Sequence, residues 1–320
     1  ASATRAMTVS IQGIVSNRMA ALRSGDAYVS GVSAGNMMNA NSTFVQAFGS
    51  NVVQENYKQS GATEYGYDAD TAGIAIGFDG ITESGSVVGL SLSYSETEVK
   101  GNGLGSATND IESYTASLYA DKVTDFGYVE GSLTMGINDN AGQRRVLTTD
   151  LDRTYKSAYD SEQISLKIGG GVPIEVGSNI GTFVTPFGSV TGTQIATDVY
   201  TETSSVANDN LKLTINQDDV NSLIGSIGVK AHAITDRGTP MISISINNEF
   251  GDGVIESSNT YTGGGTAFKT STDVEALSAT LGLGYTFGNE TVSLNLGFEA
   301  EANQEDYLSK YGTVKLIAKF

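Results

Sequence analysis

Residues 277–301, LSATLGLGYTFGNETVSLNLGFEAE, decide the fold class of this chain. Apolar and small polar residues alternate on both sides of a short turn at Gly288-Asn289. Alternation with a period of two predicts strands that have one apolar and one polar face. The polar positions are mostly Ser, Thr, Asn and Gly, which are smaller than the side chains of a packed core or a solvated surface. A membrane barrel with lipid outside and a crowded, wet lumen inside requires this pattern.

The same alternation recurs along the chain from Phe44 onward, and we count about twelve strands, an even number as expected for a closed bacterial barrel. The connections alternate between short and long. The predicted long connections lie near residues 50–70, 96–110, 138–161, 193–220 and 251–271. Because antiparallel strands place alternate connections on opposite rims, one rim is expected to carry tight turns and the other long polar loops. The predicted fold is an all-β transmembrane protein with a single antiparallel β-barrel.

Composition agrees with an envelope barrel and argues against several other classes. The chain has 39 Gly and 3 Pro together with 15 Tyr and 11 Phe, which suits many strands better than helices. It has no Cys, which excludes a disulfide framework and thiol chemistry. No apolar run approaches the ~20 residues of a membrane-spanning helix. The net charge of −18 argues against a nucleic-acid partner, because phosphates are bound by Lys and Arg.

Residues 3–24 form the only long helix that the sequence predicts. Apolar residues from Met7 to Leu22 recur at spacings of three and four, and Gly25 is a suitable stop signal. About 20 residues span roughly 30 Å, close to the hydrocarbon thickness of a membrane. The pattern also fits a soluble helix packed on a sheet, but ahead of a barrel we favour a helix inside the lumen. We therefore predict a lumen helix and connector over residues 1–42 and an outer-membrane barrel over residues 43–320.

Charged residues on the predicted lumen side are the main candidates for function. The expected lumen-helix residues are Arg18, Met19, Leu22 and Arg23. The expected lumen acids on the barrel wall are Glu130, Glu299 and Glu301. Charged groups that face a membrane lumen are usually paired or hydrated. We hypothesise that some of these acids hold the two arginines.

The last strand carries a candidate assembly signal. Val314, Leu316 and Phe320 share one parity, which is predicted to face outward. An aromatic last residue on an outward-facing strand is typical of bacterial outer-membrane proteins. Ile317 interrupts the alternation, because it places an apolar residue on the polar parity.

Other short motifs give little indication of catalysis. Residues 31–35, Gly-Val-Ser-Ala-Gly, match the nucleophile-elbow pattern, but that elbow requires a strand before it and a helix after it. His232 is the only histidine, so every Ser–His–acid hypothesis depends on it. Asp68 and Asp70 lack the remaining ligands of a calcium loop. We predict no catalytic residue, no metal and no cofactor, and an outer-membrane hydrolase is the third class considered.

Several segments resemble autotransporter β-domains, in the same order along the chain. Residues 44–49 and 66–79 resemble the opening strands of that family. Residues 185–187, 226–229 and 246–252 resemble later strands, and the resemblance extends over roughly residues 10–320. The family implies a twelve-stranded outer-membrane barrel with its helix inside. It would be the translocator of a type V secretion protein, which helps an N-terminal passenger to reach the cell surface.

The resemblance also implies partners and a processing step. The implied partners are outer-membrane lipid and lipopolysaccharide, the barrel assembly machinery, periplasmic chaperones and the chain's own passenger, with a monomeric barrel. Some members cut themselves between two Asn residues in the lumen helix. The matching positions here are Gly13 and Ile14, so we expect no such cleavage. The chain begins at Ala1 without a secretory signal, so we expect a processed chain or a piece cut from a longer one, with the passenger missing. The alternative function is a porin-like diffusion channel.

Overall fold

The computed structural model describes residues 41–320 except 60–61, 104, 106, 177–180, 253, 274, 290 and 304–306, and in the N-terminal region it describes Val15, Arg18 and Met19. These three residues are α-helical, as the predicted lumen helix requires. The rest of the predicted helix and its connector lie outside the described residues. No helix in the described part of the chain is both long and apolar enough to cross a membrane.

Twelve antiparallel strands form a closed barrel, which confirms the predicted fold class. Each strand pairs with the next along the chain, and the pairing of the first strand with the last closes the barrel. The barrel strands are β1 (Ser42–Gln54), β2 (Tyr67–Ile81), β3 (Ser86–Gly101), β4 (Thr108–Thr124), β5 (Gly127–Leu147), β6 (Asp152–Gly171), β7 (Thr182–Thr197), β8 (Val220–Ala233), β9 (Thr239–Glu249), β10 (Leu277–Gly288), β11 (Val292–Asn303) and β12 (Tyr307–Lys319).

Short strands lie in the connections between the barrel strands. They are Tyr57–Gln59, Ala62–Glu64, Ile174–Glu175, Tyr200–Thr201, Thr203–Ser204, Leu213–Gln217, Val254–Tyr261 and Phe268–Asp273. Four of them form a separate antiparallel sheet in the order 200–201, 213–217, 254–261 and 268–273, which we call the loop sheet. The loop sheet belongs to the rim that carries the long connections.

The two faces of the barrel wall differ as the alternation predicts. Large apolar side chains on the outer face, such as Ile74, Ile76 and Phe78 of β2, are about half exposed. The inner face carries small polar residues that bond across strands, as in the 2.9 Å contact between the hydroxyls of Thr71 and Thr97. An apolar outside and a polar inside are the arrangement of a barrel that spans a lipid bilayer.

Two connections that we predicted to be long loops are instead paired strands. β3 and β4 remain hydrogen-bonded up to Lys100 and Thr108, and β5 and β6 up to Leu147 and Asp152. The predictions of loops over residues 96–110 and 138–161 were therefore wrong for most of each range. The reason is that a hairpin that extends beyond the lipid keeps its backbone hydrogen bonds but has no need of an apolar face. Its sequence therefore loses the alternation by which we recognised strands.

Charged side chains join the β5–β6 hairpin to the loop-sheet region. Arg144 donates two hydrogen bonds to the carboxylate of Glu202, at 2.8 Å and 2.6 Å. The Arg144 guanidinium also lies 4.6 Å from the ring centroid of Tyr155, whose side chain is fully buried. A bidentate Arg–carboxylate pair fixes direction as well as distance. This part of the outer rim is consequently a folded unit.

Asp209 forms a second ion pair and accepts several hydrogen bonds in this unit, and together they favour its charged form. Arg153 donates to Asp209 at 2.8 Å, and the Ser204 hydroxyl donates at 2.8 Å. The backbone amide of Leu211 donates at 3.1 Å. Burial alone raises the pKa of Asp209, but these hydrogen bonds and the Arg153 charge together hold that pKa below its ordinary value.

Candidate functional site in the barrel lumen

The helical residues contact the wall near the rim of short turns. Ser42 begins β1 and is paired in register with Asp79 near the end of β2. The turn over residues 82–85 follows directly after β2. Arg18 reaches this corner of the lumen from the helix, and its side chain is 1% exposed.

Arg18 and Asp79 form a buried, bidentate ion pair. The Nε atom of Arg18 lies 2.6 Å from Oδ2 of Asp79, and Nη2 lies 2.7 Å from Oδ1. Nη2 also donates to the hydroxyl of Ser42, which in turn donates to Asp79. The Tyr119 hydroxyl donates to Oδ2 of Asp79 at 2.7 Å. The carboxylate therefore receives hydrogen bonds from the helix and from two wall side chains, which is what stabilises a charge that is removed from water.

Apolar side chains surround this ion pair and fix the helix against β1 and β12. Met19 and Val15 are both fully buried. The ring of Phe48 lies 6.4 Å from that of Tyr311 between centroids. Ile317, which interrupts the alternation of the last strand, is 2% exposed and belongs to the same cluster. The full cluster consists of Val15, Met19, Phe44, Phe48, Ala75, Tyr119, Tyr311 and Ile317.

Glycines on the inner face make room for the aromatic rings of this cluster. A Cβ atom added to Gly77 would lie 2.3 Å from two ring carbons of Phe44, which is the residue paired with it on β1. Real Cβ atoms do not approach other atoms so closely, so only glycine fits there. The same relation holds for the in-register pairs Phe48–Gly73 and Tyr119–Gly89.

A second cation lies in the same cluster. Lys315 of β12 is fully buried, and its Nζ atom lies 5.2 Å from the ring centroid of Phe44. The guanidinium carbon of Arg18 lies 5.5 Å from the same centroid. Both distances are within the range of cation–π attraction, which is strongest when water is excluded. Gln46, also fully buried, is paired with Lys315 and donates to the Tyr311 hydroxyl at 3.4 Å.

The structure places the predicted lumen-helix residues only in part. Arg18 and Met19 are buried at the wall, whereas Leu22 and Arg23 lie outside the described residues. The carboxylate that binds Arg18 is Asp79, and not one of the three acids that we had chosen as candidates. Asp79 was predicted to face inward, but alternation along a strand carries no information about where a separate helix docks.

The three predicted lumen acids are all on the inner face. Glu130 is 8% exposed and is paired with Asp121 across the strands. Glu299 and Glu301 are half-buried, and Glu301 accepts a hydrogen bond from the Ser278 hydroxyl at 2.5 Å. Their role in holding the helix stays a prediction.

The candidate assembly signal faces outward. Val314 and Leu316 are each about half exposed, and Phe320 is 68% exposed. The ring of Phe320 lies 6.3 Å from that of Phe78 on β2, and its backbone is bonded to Asn41 in both directions. Phe320 thus lies at the seam, the pairing of β1 with β12 that closes the barrel. Its use as an assembly signal stays a prediction.

The remaining motifs do not come together as a chemical site in the described residues. His232 is 8% exposed, faces the lumen and stacks on Phe183 at 5.1 Å between ring centroids. Asp70 accepts a hydrogen bond from Asn51, and no group of three or more His, Asp or Glu able to hold a metal occurs in the described ranges. The serine motif at residues 31–35 lies outside those ranges.

Comparisons with known proteins agree with this architecture. The translocator domain of the autotransporter NalP from Neisseria meningitidis has a similar structure, with a TM-score of 0.72, 15% identity and 98% of each chain covered. The transport unit of the autotransporter AIDA-I from Escherichia coli is similar with a TM-score of 0.60 and 12% identity, over 87% of this chain and 90% of that one. At these identities the likeness shows the fold.

Sequence comparison identifies the family. Outer membrane protein A of Rickettsia conorii is 28% identical over 173 residues, which are 52% of this chain and 8% of that protein. The chain therefore spans only a small part of this curated relative. The sequence profile of the Autotransporter beta-domain family matches residues 20–299. The chain belongs to the autotransporter β-domain family, whose members are translocator barrels of the bacterial outer membrane.

Proposed function

We propose that this barrel exports an N-terminal passenger to the cell surface and that the helix carrying Arg18 and Met19 then closes the lumen. The observation that supports the second part is the buried ion pair between Arg18 and Asp79. Removing one partner of a buried pair leaves an uncompensated charge and costs about 3–5 kcal/mol. A helix that is held by such a contact closes the lumen in a defined position. We call the site formed by Arg18, Asp79, Ser42 and Tyr119 with the surrounding cluster the lumen seat.

Membrane insertion rests on the outer face, and export rests on the lumen. The outer apolar belt contacts lipid and lipopolysaccharide, and the terminal strand with Phe320 is the contact proposed for the barrel assembly machinery. Periplasmic chaperones are further proposed partners of the unfolded chain. The barrel acts as a monomer and performs no catalysis on a small molecule.

Single-channel conductance of the refolded barrel tests this proposal. The intact chain is expected to conduct weakly, and removal of residues 1–25 is expected to raise the conductance sharply. Replacement Arg18→Glu should also raise it, because two carboxyl groups would then face each other in the seat. The matched control is Arg153→Glu, which reverses a charge on the outer rim.

Two results would contradict the proposal. A large conductance that is unaffected by removal of residues 1–25 would indicate a porin-like diffusion channel. A conductance that responds to Arg153→Glu as strongly as to Arg18→Glu would show that the Arg18 seat has no special role.

A further inference from the structure

A groove of about 770 Å³ crosses the outer face of the barrel wall from β3 to β7. Most of its lining residues are on the outer face of these strands, and Leu92, Met135 and Ile164 among them are about half exposed. Ala116 is paired with Leu92 on one side and with Met135 on the other. A short side chain thus stands between two long ones, and Ala196 is a second small lining residue.

The groove lies on the wall that faces lipid, because the family is one of outer-membrane barrels. Its volume is within the range of about 300–1,000 Å³ that is typical of pockets for small ligands. A lipid acyl chain suits its apolar sides. Inside a bilayer there is no water to exclude, so the chain is held by dispersion contacts alone. These contacts do not distinguish one lipid from another, so any selectivity must come from the headgroup.

Acidic residues follow the side of the groove that is nearer to the long connections. Glu96, Glu112, Asp139 and Asp160 are paired in succession across β3, β4, β5 and β6, and all four are exposed on the outer face. The backbone amide of Asp198 donates to the carbonyl of Asp160, which brings a fifth acid beside them. We call these five residues the acid row. Like charges directly opposite each other on neighbouring strands repel, so a cation beside the row stabilises it.

The acid row favours an ammonium group over a metal ion. Glu112 and Asp139 lie two residues beyond Tyr114 and Ile137, which line the groove. Two residues along a strand span roughly 7 Å, so the headgroup of a lipid in the groove reaches the row. In the described part of the chain, no three or more His, Asp or Glu residues lie close enough together to hold a metal ion. Carboxylates that are spread along a line suit a cation that moves among them.

We infer that the groove binds an acyl chain of a zwitterionic phospholipid and that the ammonium headgroup of this lipid lies against the acid row. A lipid with the same chains and a net negative headgroup would place its charge beside five carboxylates, so it is disfavoured here. The site therefore selects its lipid by headgroup charge. This inference goes beyond the proposed function, because it concerns the outer wall and neither the passenger nor the helix.

The first test is native mass spectrometry of the refolded full chain, released from detergent that contains phosphatidylethanolamine and phosphatidylglycerol with identical acyl chains. The zwitterionic phosphatidylethanolamine should be retained about tenfold more than the anionic phosphatidylglycerol. Glu112→Gln combined with Asp139→Asn should reduce this preference to about threefold or less, because two carboxylates of the row are lost. The matched control is Asp125→Asn combined with Asp236→Asn, which removes two exposed acids from the rim of short turns and should leave the preference unchanged.

The second test fills the groove. Ala116→Leu and Ala196→Leu, on two different strands, should each lower the retention of phosphatidylethanolamine about tenfold, because the leucine occupies the space of the acyl chain. The control is Ala120→Leu, which adds the same side chain to the outer face of β4 outside the groove and should bind like the parent.

Three results would overturn the inference. Equal retention of the two lipids by the parent would show that the acid row does not select the headgroup. Retention by Ala116→Leu and Ala196→Leu equal to that of Ala120→Leu would show that the groove is not the binding site. Retention of phosphatidylglycerol that rises to the level of phosphatidylethanolamine with Mg²⁺, and falls again with a chelator, would show that the row binds anionic lipid through a metal ion.

Discussion

Replacement of Gly77 by alanine tests whether the lumen seat is packed as tightly as the distances indicate. The added Cβ would lie 2.3 Å from two carbons of the Phe44 ring and 3.0 Å from the carbonyl oxygen of Leu90. The Phe44 ring is fully buried against the helix, so it has no free space into which to move. Overpacking of this kind costs ~1–3 kcal/mol, and we expect the upper end because ring and backbone both resist.

The effect of Gly77→Ala is measured as the free energy of unfolding of the refolded barrel in urea. Gly312→Ala is the matched control, since a Cβ at Gly312 meets nothing within 4 Å. The control should be neutral or stabilising by about 0.5 kcal/mol, because alanine restricts the unfolded chain more than glycine does. The combined variant Gly77→Ala with Phe44→Leu should show a favourable coupling of ~1–3 kcal/mol, because the smaller side chain removes the clash.

Two outcomes would refute this reasoning. If Gly77→Ala unfolds at the same urea concentration as Gly312→Ala, the ring does not occupy the space over Gly77. If the combined variant loses the sum of the two single losses, the destabilisation has a cause other than contact between these two residues.

Three further predictions concern the outer rim and the seam. Arg144→Ala should expose the loop sheet. Hydrogen exchange over residues 200–217, measured by mass spectrometry, should then be roughly tenfold faster than in the parent. An unchanged exchange rate would contradict a role for the ion pair with Glu202. Because the folded pKa of Asp209 is lowered, its contribution to stability is present above the unfolded pKa of about 4 and is lost as the pH falls through the folded value. Protection factors in this region, which correct for the slower intrinsic exchange in acid, should therefore fall in acid in the parent, and Asp209→Asn should remove that pH dependence. Phe320→Ala should slow assembly of the barrel into membranes, while the free energy of unfolding of the assembled barrel stays within about 1 kcal/mol of the parent value. Equal assembly rates for the variant and the parent would argue against Phe320 as an assembly signal.

The sequence predicted the wall of this barrel well because the wall obeys a simple rule. A strand between lipid and a wet lumen must alternate, so the alternation alone assigns Ile74 and Ile76 to the outside and Asp79 to the inside. The closed barrel follows from the number of such strands and from the sorting of short turns to one rim.

The contacts of the helix could not be predicted in the same way. Alternation gives the face on which a residue lies, but not the depth at which a helix docks, so Asp79 was not distinguished from the other lumen acids. One usable signal was missed. Phe44 and Gly77 are directly paired across neighbouring strands, and a large ring opposite a glycine on a lumen face indicates a site of close packing. Ile317 belongs to the same site, which explains its apparent violation of the alternation.

The seam between β1 and β12 has a consequence for how the molecule is made. Ser42 on β1 is paired with Lys319 on β12. One edge of the first barrel strand to be synthesised therefore stays unpaired until the last barrel strand has been made. Until β12 has been made, every partly made barrel has two unpaired strand edges, which are templates for aggregation. Closure joins distant parts of the chain, and contacts of this kind form late and slowly. The protein therefore depends, between synthesis and membrane, on anything that keeps those two edges apart from other chains.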